Sequence, residues 1–125
     1  MLVEGDMDLP ATPTIHGIPN CDTMKKARAW LEARGVAHAF HDYRRDGLPP
    51  GLLESWVARL GWEVLLNRAG TTFRKLPETA REGLDEARAI ELMRAHPALI
   101  KRPVLVAGDR LLVGFKPETY AAAFG

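Results

Sequence analysis

Apolar and polar positions in the first third of the chain predict a strand, a helix and a second strand. Residues 12–18 carry threonine and isoleucine and are closed by a glycine and a proline, as in a short strand, which we place centrally in the sheet. From Asp22 to Arg34 apolar residues recur every three or four positions and Gly35 follows, so a helix with one buried face is predicted. Residues 36–43 alternate in part and predict a second strand, parallel to the first.

The middle of the chain is predicted to be mainly helical. It follows a break rich in turn-forming residues at positions 44–50. The predicted elements are a helix over residues 52–60, one further helical turn over 62–66, a basic loop over 67–75 and a helix over 84–95. In the last helix, Leu84, Ala87 and Ile90 are expected to face the core, with Met93 as a further candidate.

The last part of the chain predicts a β-hairpin and a final helix. Two apolar runs, residues 104–107 and 110–115, are joined by a Gly-Asp pair, which is favourable for a two-residue hairpin turn. Residues 117–124 form the final helix. This order of elements is that of an α/β protein with a thioredoxin-like fold, in which a mixed four-stranded sheet receives a helical insertion at about residues 48–97.

Composition and charge favour one globular domain, which we assign to residues 12–125. The 125 residues are 46% hydrophobic and 26% charged, and residues 1–11 are predicted to be a disordered, solvated tail. The net charge of +1 comes from mixed signs, so neither nucleic acid nor an anionic membrane is indicated. No apolar run approaches the roughly 20 residues that span a bilayer. With a single cysteine, which forms no internal disulfide, a cytoplasmic monomer is expected.

The only cysteine, Cys21, lies where the first predicted strand gives way to the first helix. A free cysteine is usually a small buried hydrophobe. Here Pro19 and Asn20 predict an exposed turn before it. Lys25 adds positive charge within about one helical turn, although Asp22 opposes it. Unpaired N–H groups at a helix start favour the thiolate, which is the reactive form, so Cys21 is our candidate nucleophile.

The histidines do not predict a metal site. His38 and His41 are three positions apart in the second predicted strand, and side chains at that spacing point to opposite faces of a sheet. We expect neither a bound metal nor a resident cofactor.

Several short motifs follow one another in an order shared with a known family. They are His16 to Thr23, Lys25 to Arg28 with Trp30-Leu31, Phe40 to Arg44, Gly61-Trp62 with Leu65 to Asn67, Gly70 to Leu76, Ile100 to Pro103, and Gly114-Phe115. On these motifs the stretch from Thr14 to Tyr120 resembles the arsenate reductase (ArsC)/Spx-like family, and most of all its YffB-type branch. The resemblance implies the thioredoxin-like fold with a helical insertion.

For the reductases of that family, the resemblance implies a cysteine that attacks an oxyanion or a disulfide. Glutathione, with glutaredoxin as a further partner, then resolves the product, so glutathione is expected as a cosubstrate. On this pattern Cys21 is the nucleophile, Arg102 binds the anion, and the Arg102–Pro103 peptide bond is cis. The residues expected to contact substrate or glutathione are Asn20, Lys25, Arg68, Arg102, Pro103 and Lys116.

Two positions depart from the reductase pattern. Asn67, followed by Arg68, stands where those reductases carry an arginine, and Lys116 is the best match to a further arginine. An arsenate-like dianion beside a thiolate needs several cations, and guanidinium groups neutralise it better than lysine does. We therefore expect a glutathione-dependent thiol–disulfide reductase with weak or absent arsenate reduction.

The alternative, from another class, is a Spx-like regulatory protein that binds RNA polymerase. The resemblance implies that such regulators switch through two cysteines separated by two residues. Met24 stands where the second cysteine would be, so an internal disulfide cannot form. The redox switch is therefore lost, whereas a surface that binds the polymerase does not depend on it.

Overall fold

A computed structural model describes residues 12–124, which form one mixed four-stranded sheet with helices on both faces. The strands are β1 (Thr14–Gly17), β2 (Ala39–Asp42), β3 (Val104–Ala107) and β4 (Arg110–Val113). Their order is β2-β1-β3-β4; β2 is parallel to β1, and β3 is antiparallel to both β1 and β4. The predicted central strand, parallel pair and hairpin are confirmed. The predicted tail, residues 1–11, lies outside the described residues.

The helices follow the predicted order. They are α1 (Asp22–Ala33), α2 (Tyr43–Asp46), α3 (Leu52–Leu60), α4 (Trp62–Leu65), α5 (Thr71–Arg74), α6 (Glu78–Arg81), α7 (Glu86–Ala95) and α8 (Pro117–Phe124), with a 3-10 turn at Pro97–Leu99. Gly35 has a φ of 69° just beyond α1, the left-handed conformation that commonly ends a helix. The segments α2 to α7 all lie between β2 and β3, where the sequence predicts the insertion.

The apolar core is divided between the two faces of the sheet. Neighbouring strand residues point to opposite faces, so Ile15 of β1 packs under α1 and α8 while His16 faces the insertion. The buried residues of the first face are Ile15, Met24, Ala27, Leu31, Leu105 and Tyr120. The largest buried side chains of the second face are Trp56, Tyr43, Leu53, Leu65, Leu66, Met93, Leu99 and Ile100. The sheet and its two layers of helices make the thioredoxin-like fold.

The segment over residues 67–75 is not the plain loop that the sequence predicts. Residues Thr71–Arg74 form the short helix α5, which buries Phe73 in the core of the insertion. A four-residue helix is not stable by itself in water, so the burial of this ring holds the turn in place.

Of the residues predicted to face the core over residues 84–95, Met93 is buried, and Leu84 and Ile90 pack partly buried against the core, so these predictions are confirmed. The helix α7 differs from its prediction in its start and at Ala87. It begins at Glu86 rather than at Leu84, because the Asp85 carboxylate caps it by accepting a hydrogen bond from the Arg88 N–H over 2.8 Å. Ala87 is exposed. The buried residues of this helix are Ala89, Leu92 and Met93.

The strand β2 is shorter than the predicted run of residues 36–43. It ends at Asp42, whose buried carboxylate accepts hydrogen bonds from the N–H groups of Arg44 (3.0 Å) and Arg45 (3.2 Å) and so begins α2. Tyr43 therefore belongs to the first turn of α2, where its side chain is fully buried.

One edge of the sheet collects the segments that carry the candidate residues. Gly17 pairs with Asp42, so the ends of β1 and β2 lie side by side. His16 pairs with Val104, so the start of β3 lies at that same edge. The loop to Cys21, the turn at Tyr43 and the segment before β3 therefore meet there.

Candidate functional site at the cysteine

Cys21 occupies the residue directly before α1, at the junction of strand and helix that the sequence predicts. Its backbone is extended, with φ −122° and ψ 126°, and its carbonyl oxygen accepts the Lys25 N–H over 3.0 Å. No side chain caps this end of the helix. The first N–H groups of α1 thus stay available to an anion in front of them. The thiol is free and partly exposed, as a nucleophile has to be.

Arg102 lies just before β3, at the edge of the sheet where the loop to Cys21 begins. Its side chain is half-buried, and Nη1 donates a long hydrogen bond of 3.5 Å to the Ala98 carbonyl oxygen. Among residues 12–124 it forms no ion pair with a carboxylate. The Arg102–Pro103 bond is cis, which confirms the prediction. The guanidinium is thus held loosely by the protein, which leaves donors for a bound anion.

The segment that carries Arg102 is fixed by hydrogen bonds from two other parts of the chain. The Lys101 N–H donates to the Leu65 carbonyl oxygen, and the Asn67 N–H donates to that of Leu99, each over 2.8 Å. From the other side, the Tyr43 hydroxyl donates to the Ile100 carbonyl oxygen over 3.2 Å. The insertion and the end of β2 therefore set the position of Arg102 together.

Tyr43 is a further candidate site residue. In the sequence it stands out only as part of the motif from Phe40 to Arg44. Burial raises the pKa of its hydroxyl above the usual value. The Arg102 guanidinium works against that rise in pKa, whereas Cys21 and Asp42 add to it. The hydrogen bond of Tyr43 holds the hydroxyl against Ile100, two residues before Arg102 along the chain. A tyrosine after a capping aspartate at a strand end was the available signal.

The other predicted contact residues are less closely joined to the thiol. Asn20 is exposed in the turn before Cys21, and Lys25 is exposed one turn after it. The Arg68 guanidinium lies over the Trp62 ring, 5.6 Å from its centroid, and Lys116 is exposed just before α8.

No hydrogen bond or ion pair within residues 12–124 joins Asn20, Arg68 or Lys116 to Cys21. Pro103 is buried, and its carbonyl oxygen accepts the Gly114 N–H over 2.8 Å. Cys21, Arg102 and Tyr43 therefore lie on segments that meet at one edge of the sheet, and the Tyr43 hydroxyl contacts the segment that carries Arg102.

Residues 12–124 contain neither a cluster of metal ligands nor a helix suited to a membrane. No three histidine, cysteine or acidic side chains in that range come together as a set that could hold a metal ion. In the same range, no helix has the length and apolar character that crossing a membrane requires.

The fold and the site define a thioredoxin-like protein with one cysteine at the start of its first helix and an arginine–cis-proline pair beside it. The model of the ArsC family matches residues 16–123. The chain belongs to the ArsC family.

The similar proteins include an arsenate reductase related protein and a transcriptional regulator. A solved YffB protein is 58% identical, with a TM-score of 0.88 over 91% of this chain and 100% of that chain. An arsenate reductase (ArsC) related protein from Brucella melitensis is 55% identical, with a TM-score of 0.74 over 91% of this chain and 95% of that one. The global transcriptional regulator Spx of Listeria innocua is 26% identical over 108 residues, 84% of this chain and 81% of the relative.

Proposed function

We propose that this protein is a glutathione-dependent thiol–disulfide reductase that uses Cys21 as its single nucleophile. The observation that carries the proposal is the address of the chain's only thiol, partly exposed before a helix start that no side chain of residues 12–124 caps, at the edge of the sheet where the half-buried Arg102 also lies. Membership of the ArsC family and the likeness to an arsenate reductase related protein support it.

The chemistry needs one cysteine and two glutathione molecules. The Cys21 thiolate attacks the glutathione sulfur of a mixed disulfide; the old S–S bond breaks, and the substrate leaves as a thiolate that takes up a proton. The new bond joins Cys21 to glutathione. A second glutathione thiolate then attacks the glutathione sulfur of that bond, so oxidised glutathione is released and the Cys21 thiolate returns. In total, the substrate thiol is released from its mixed disulfide, one free glutathione is consumed, and the two glutathiones leave joined as oxidised glutathione; glutaredoxin is an expected further partner.

Arg102 supplies charge for this reaction, since both glutathione and the leaving thiolate are anionic. A guanidinium holds a carboxylate with two parallel hydrogen bonds, which a lysine cannot do. Arsenate reduction is expected to be weak or absent, because Asn67 and Lys116 stand at two of the positions where the reductases carry arginine.

Intact-mass analysis with oxidised glutathione tests the proposal. The wild-type protein is expected to gain one glutathionyl group, and reduced glutathione is expected to remove it. A protein that gains no adduct, or whose adduct resists reduced glutathione, would refute the proposed reaction.

Replacing Arg102 with lysine is expected to slow the reaction of Cys21 with oxidised glutathione at least about tenfold. Charge-assisted hydrogen bonds are worth roughly 1.5–3 kcal/mol, and a tenfold change in rate corresponds to about 1.4 kcal/mol. The melting temperature should change little, because the side chain makes only one long hydrogen bond within residues 12–124. The rate of adduct formation by mass spectrometry measures the effect, with Lys101→Ala, an exposed neighbour, as the control.

The contrary result is specific. If Arg102→Lys reacts as fast as wild type while Lys116→Ala or Arg68→Ala is slow, the anion site lies on a different residue.

Replacing Tyr43 with phenylalanine is expected to slow the same reaction about two- to tenfold. The ring still fills its place in the core, but the Ile100 carbonyl loses a hydrogen bond worth about 0.5–1.5 kcal/mol, and the segment that carries Arg102 loosens. Tyr120→Phe is the matched control, since the Tyr120 hydroxyl is buried in the other core with no hydrogen-bond partner among residues 12–124. Equal rates for the two variants would deny Tyr43 a part in positioning Arg102.

A second candidate function is favoured by the relatives named as the global transcriptional regulator Spx. On that reading the chain binds RNA polymerase, without the two-cysteine switch, because Met24 replaces the second cysteine. A pull-down against polymerase beside the glutathione-linked assay separates the two functions. Capture of polymerase by a protein that forms no glutathione adduct would support the regulator and exclude the reductase.

A further inference from the structure

A cavity of about 290 Å³ opens between α1 and β2, the outermost strand on that side of the sheet. It is lined by Pro19, Met24, Lys25, Arg28, Ala29, Glu32 and Phe40. Pro19 precedes Cys21 by two residues, and the Lys25 N–H is bonded to the Cys21 carbonyl oxygen. The cavity is therefore adjacent to the thiol, on the side of α1 away from β3 and Arg102.

Arg28 gives this cavity its chemical character. Its guanidinium carbon lies 4.8 Å from the centroid of the Phe40 ring, a cation–π arrangement that fixes the plane of the group. Its Nε is buried and has no hydrogen-bond partner among residues 12–124. That atom is covered by the protein, so the donors that a bound group can reach are the terminal nitrogens of the guanidinium, for which no hydrogen bond or ion pair occurs within residues 12–124.

The charges along the cavity indicate what a bound group carries. Lys25 and Arg28 are separated by about one helical turn and line the part of the cavity nearer to Cys21. Glu32 lies one turn further from the thiol and disfavours a second anion there. Two cations beside each other followed by one acid suit a single carboxylate, placed next to the cysteine.

The spacing matches the reach of glutathione. Arg28 lies seven residues after Cys21, about 10 Å along the helix axis, and helical side chains lean back towards the N-terminus. An extended tripeptide spans about 10 Å, so each of its ends extends about 5 Å from the central sulfur. The lean of the arginine side chain covers the remaining few ångströms.

We propose that Lys25 and Arg28 form a carboxylate subsite that holds one end of glutathione while its sulfur is bonded to Cys21. The subsite rests on the proposed function, and it complements Arg102, which lies at the start of β3 on the other side of the thiol. Glutathione has a carboxylate at each end, so two separate cationic sites flanking the cysteine select a molecule of this kind over a neutral disulfide.

The test compares oxidised glutathione with its ethyl ester, in which every carboxylate is masked. Arg28→Gln is expected to slow adduct formation with oxidised glutathione about tenfold and to leave the rate with the ester unchanged. Lys25→Gln should also slow the reaction with oxidised glutathione, but it removes a charge near the thiol and is therefore expected to slow the ester as well. Arg34→Gln is the matched control, because Arg34 also lies over an aromatic ring, that of Trp30, but does not line the cavity. It should leave both rates unchanged, and thermal unfolding checks that each variant is folded.

Truncated disulfides identify the end that is held. Arg28→Gln should slow the disulfide of γ-glutamylcysteine or that of cysteinylglycine, but not both, and either result supports the subsite. If Arg28→Gln matches wild type with oxidised glutathione, or slows the ester as much, the subsite is wrong while the proposed reaction of Cys21 stands. If wild type forms no adduct at all, the proposed function fails and the subsite fails with it.

Discussion

Cys21→Ser is expected to reduce glutathione-linked disulfide reduction to the uncatalysed background. The chain has one cysteine, so no other thiol can form the mixed disulfide or take over its resolution. A serine hydroxyl cannot form a disulfide, and it is a far weaker nucleophile at neutral pH. The measurement is the rate of reduction of a glutathione mixed disulfide, read beside the intact mass of the protein.

The control is the stability of the same variant. Cys21 is only partly buried and its side chain does not cap α1, so serine should fit with a nearly unchanged free energy of unfolding. A folded Cys21→Ser protein that retains the wild-type rate would place the chemistry outside the thiol. An unfolded one would show instead that the thiol packs as part of the core, and the folded variant Cys21→Ala would then carry the test.

Trp56→Ala is expected to lower the free energy of unfolding by about 3–5 kcal/mol, the range for removing a large buried aromatic side chain. Trp56 is 1% exposed and comes from α3 in the insertion. Its ring meets the His16 ring of β1 edge-on, with centroids 4.9 Å apart. The side chain therefore joins the insertion to the central strand, and its loss leaves a cavity between them. Denaturant unfolding followed by circular dichroism measures the change.

The environment of the His16 ring also depends on its contact with Trp56. His16 Nδ1 donates to the Val104 carbonyl oxygen over 3.1 Å, and burial lowers the pKa of the ring, with the nearby His41 lowering it further. A neutral ring is thus favoured under Trp56. Because the pKa of His16 is lowered in the folded protein, the unfolded chain binds the proton more readily, and stability falls as the pH drops below the usual pKa of the ring. Opening the cover over His16 to water makes protonation of the folded protein easier, so Trp56→Ala should show a smaller loss of stability between neutral and acid pH than wild type.

Trp62→Ala serves as the comparison for Trp56→Ala. Trp62 lies in the same insertion but is only partly buried, with the Arg68 guanidinium over its ring. Its removal should cost less, since less apolar surface leaves water on folding. If the two variants lose equal stability, Trp56 is not the contact that joins the insertion to the sheet.

Local signals were enough to predict the first strand–helix–strand unit and the hairpin of β3 and β4. The glycine after α1, its apolar stripe and the Gly-Asp pair of the hairpin each act within a few residues, so they can be read without knowing the fold. The position of Cys21 between β1 and α1 followed from the same signals.

The short helices of the insertion show where local signals were insufficient. The helix α5 is held in place by the burial of Phe73, and α7 begins later than the apolar pattern suggested because Asp85 caps it. Burial against distant residues decides such cases, since segments of this length have little stability of their own.

The sequence determined some features of the site, and the tertiary structure determined the others. The sequence by itself determined the thiol, the arginine before the sheet proline and the strand–helix junction that presents the thiol. Only the tertiary structure brought the Tyr43 hydroxyl to the Ile100 carbonyl, 57 residues away, and set Arg28 of α1 against Phe40 of β2 beside the thiol. The physical reason is that charge and hydrogen-bonding capacity belong to single residues, whereas the partner of each is chosen by how the helices pack on the sheet.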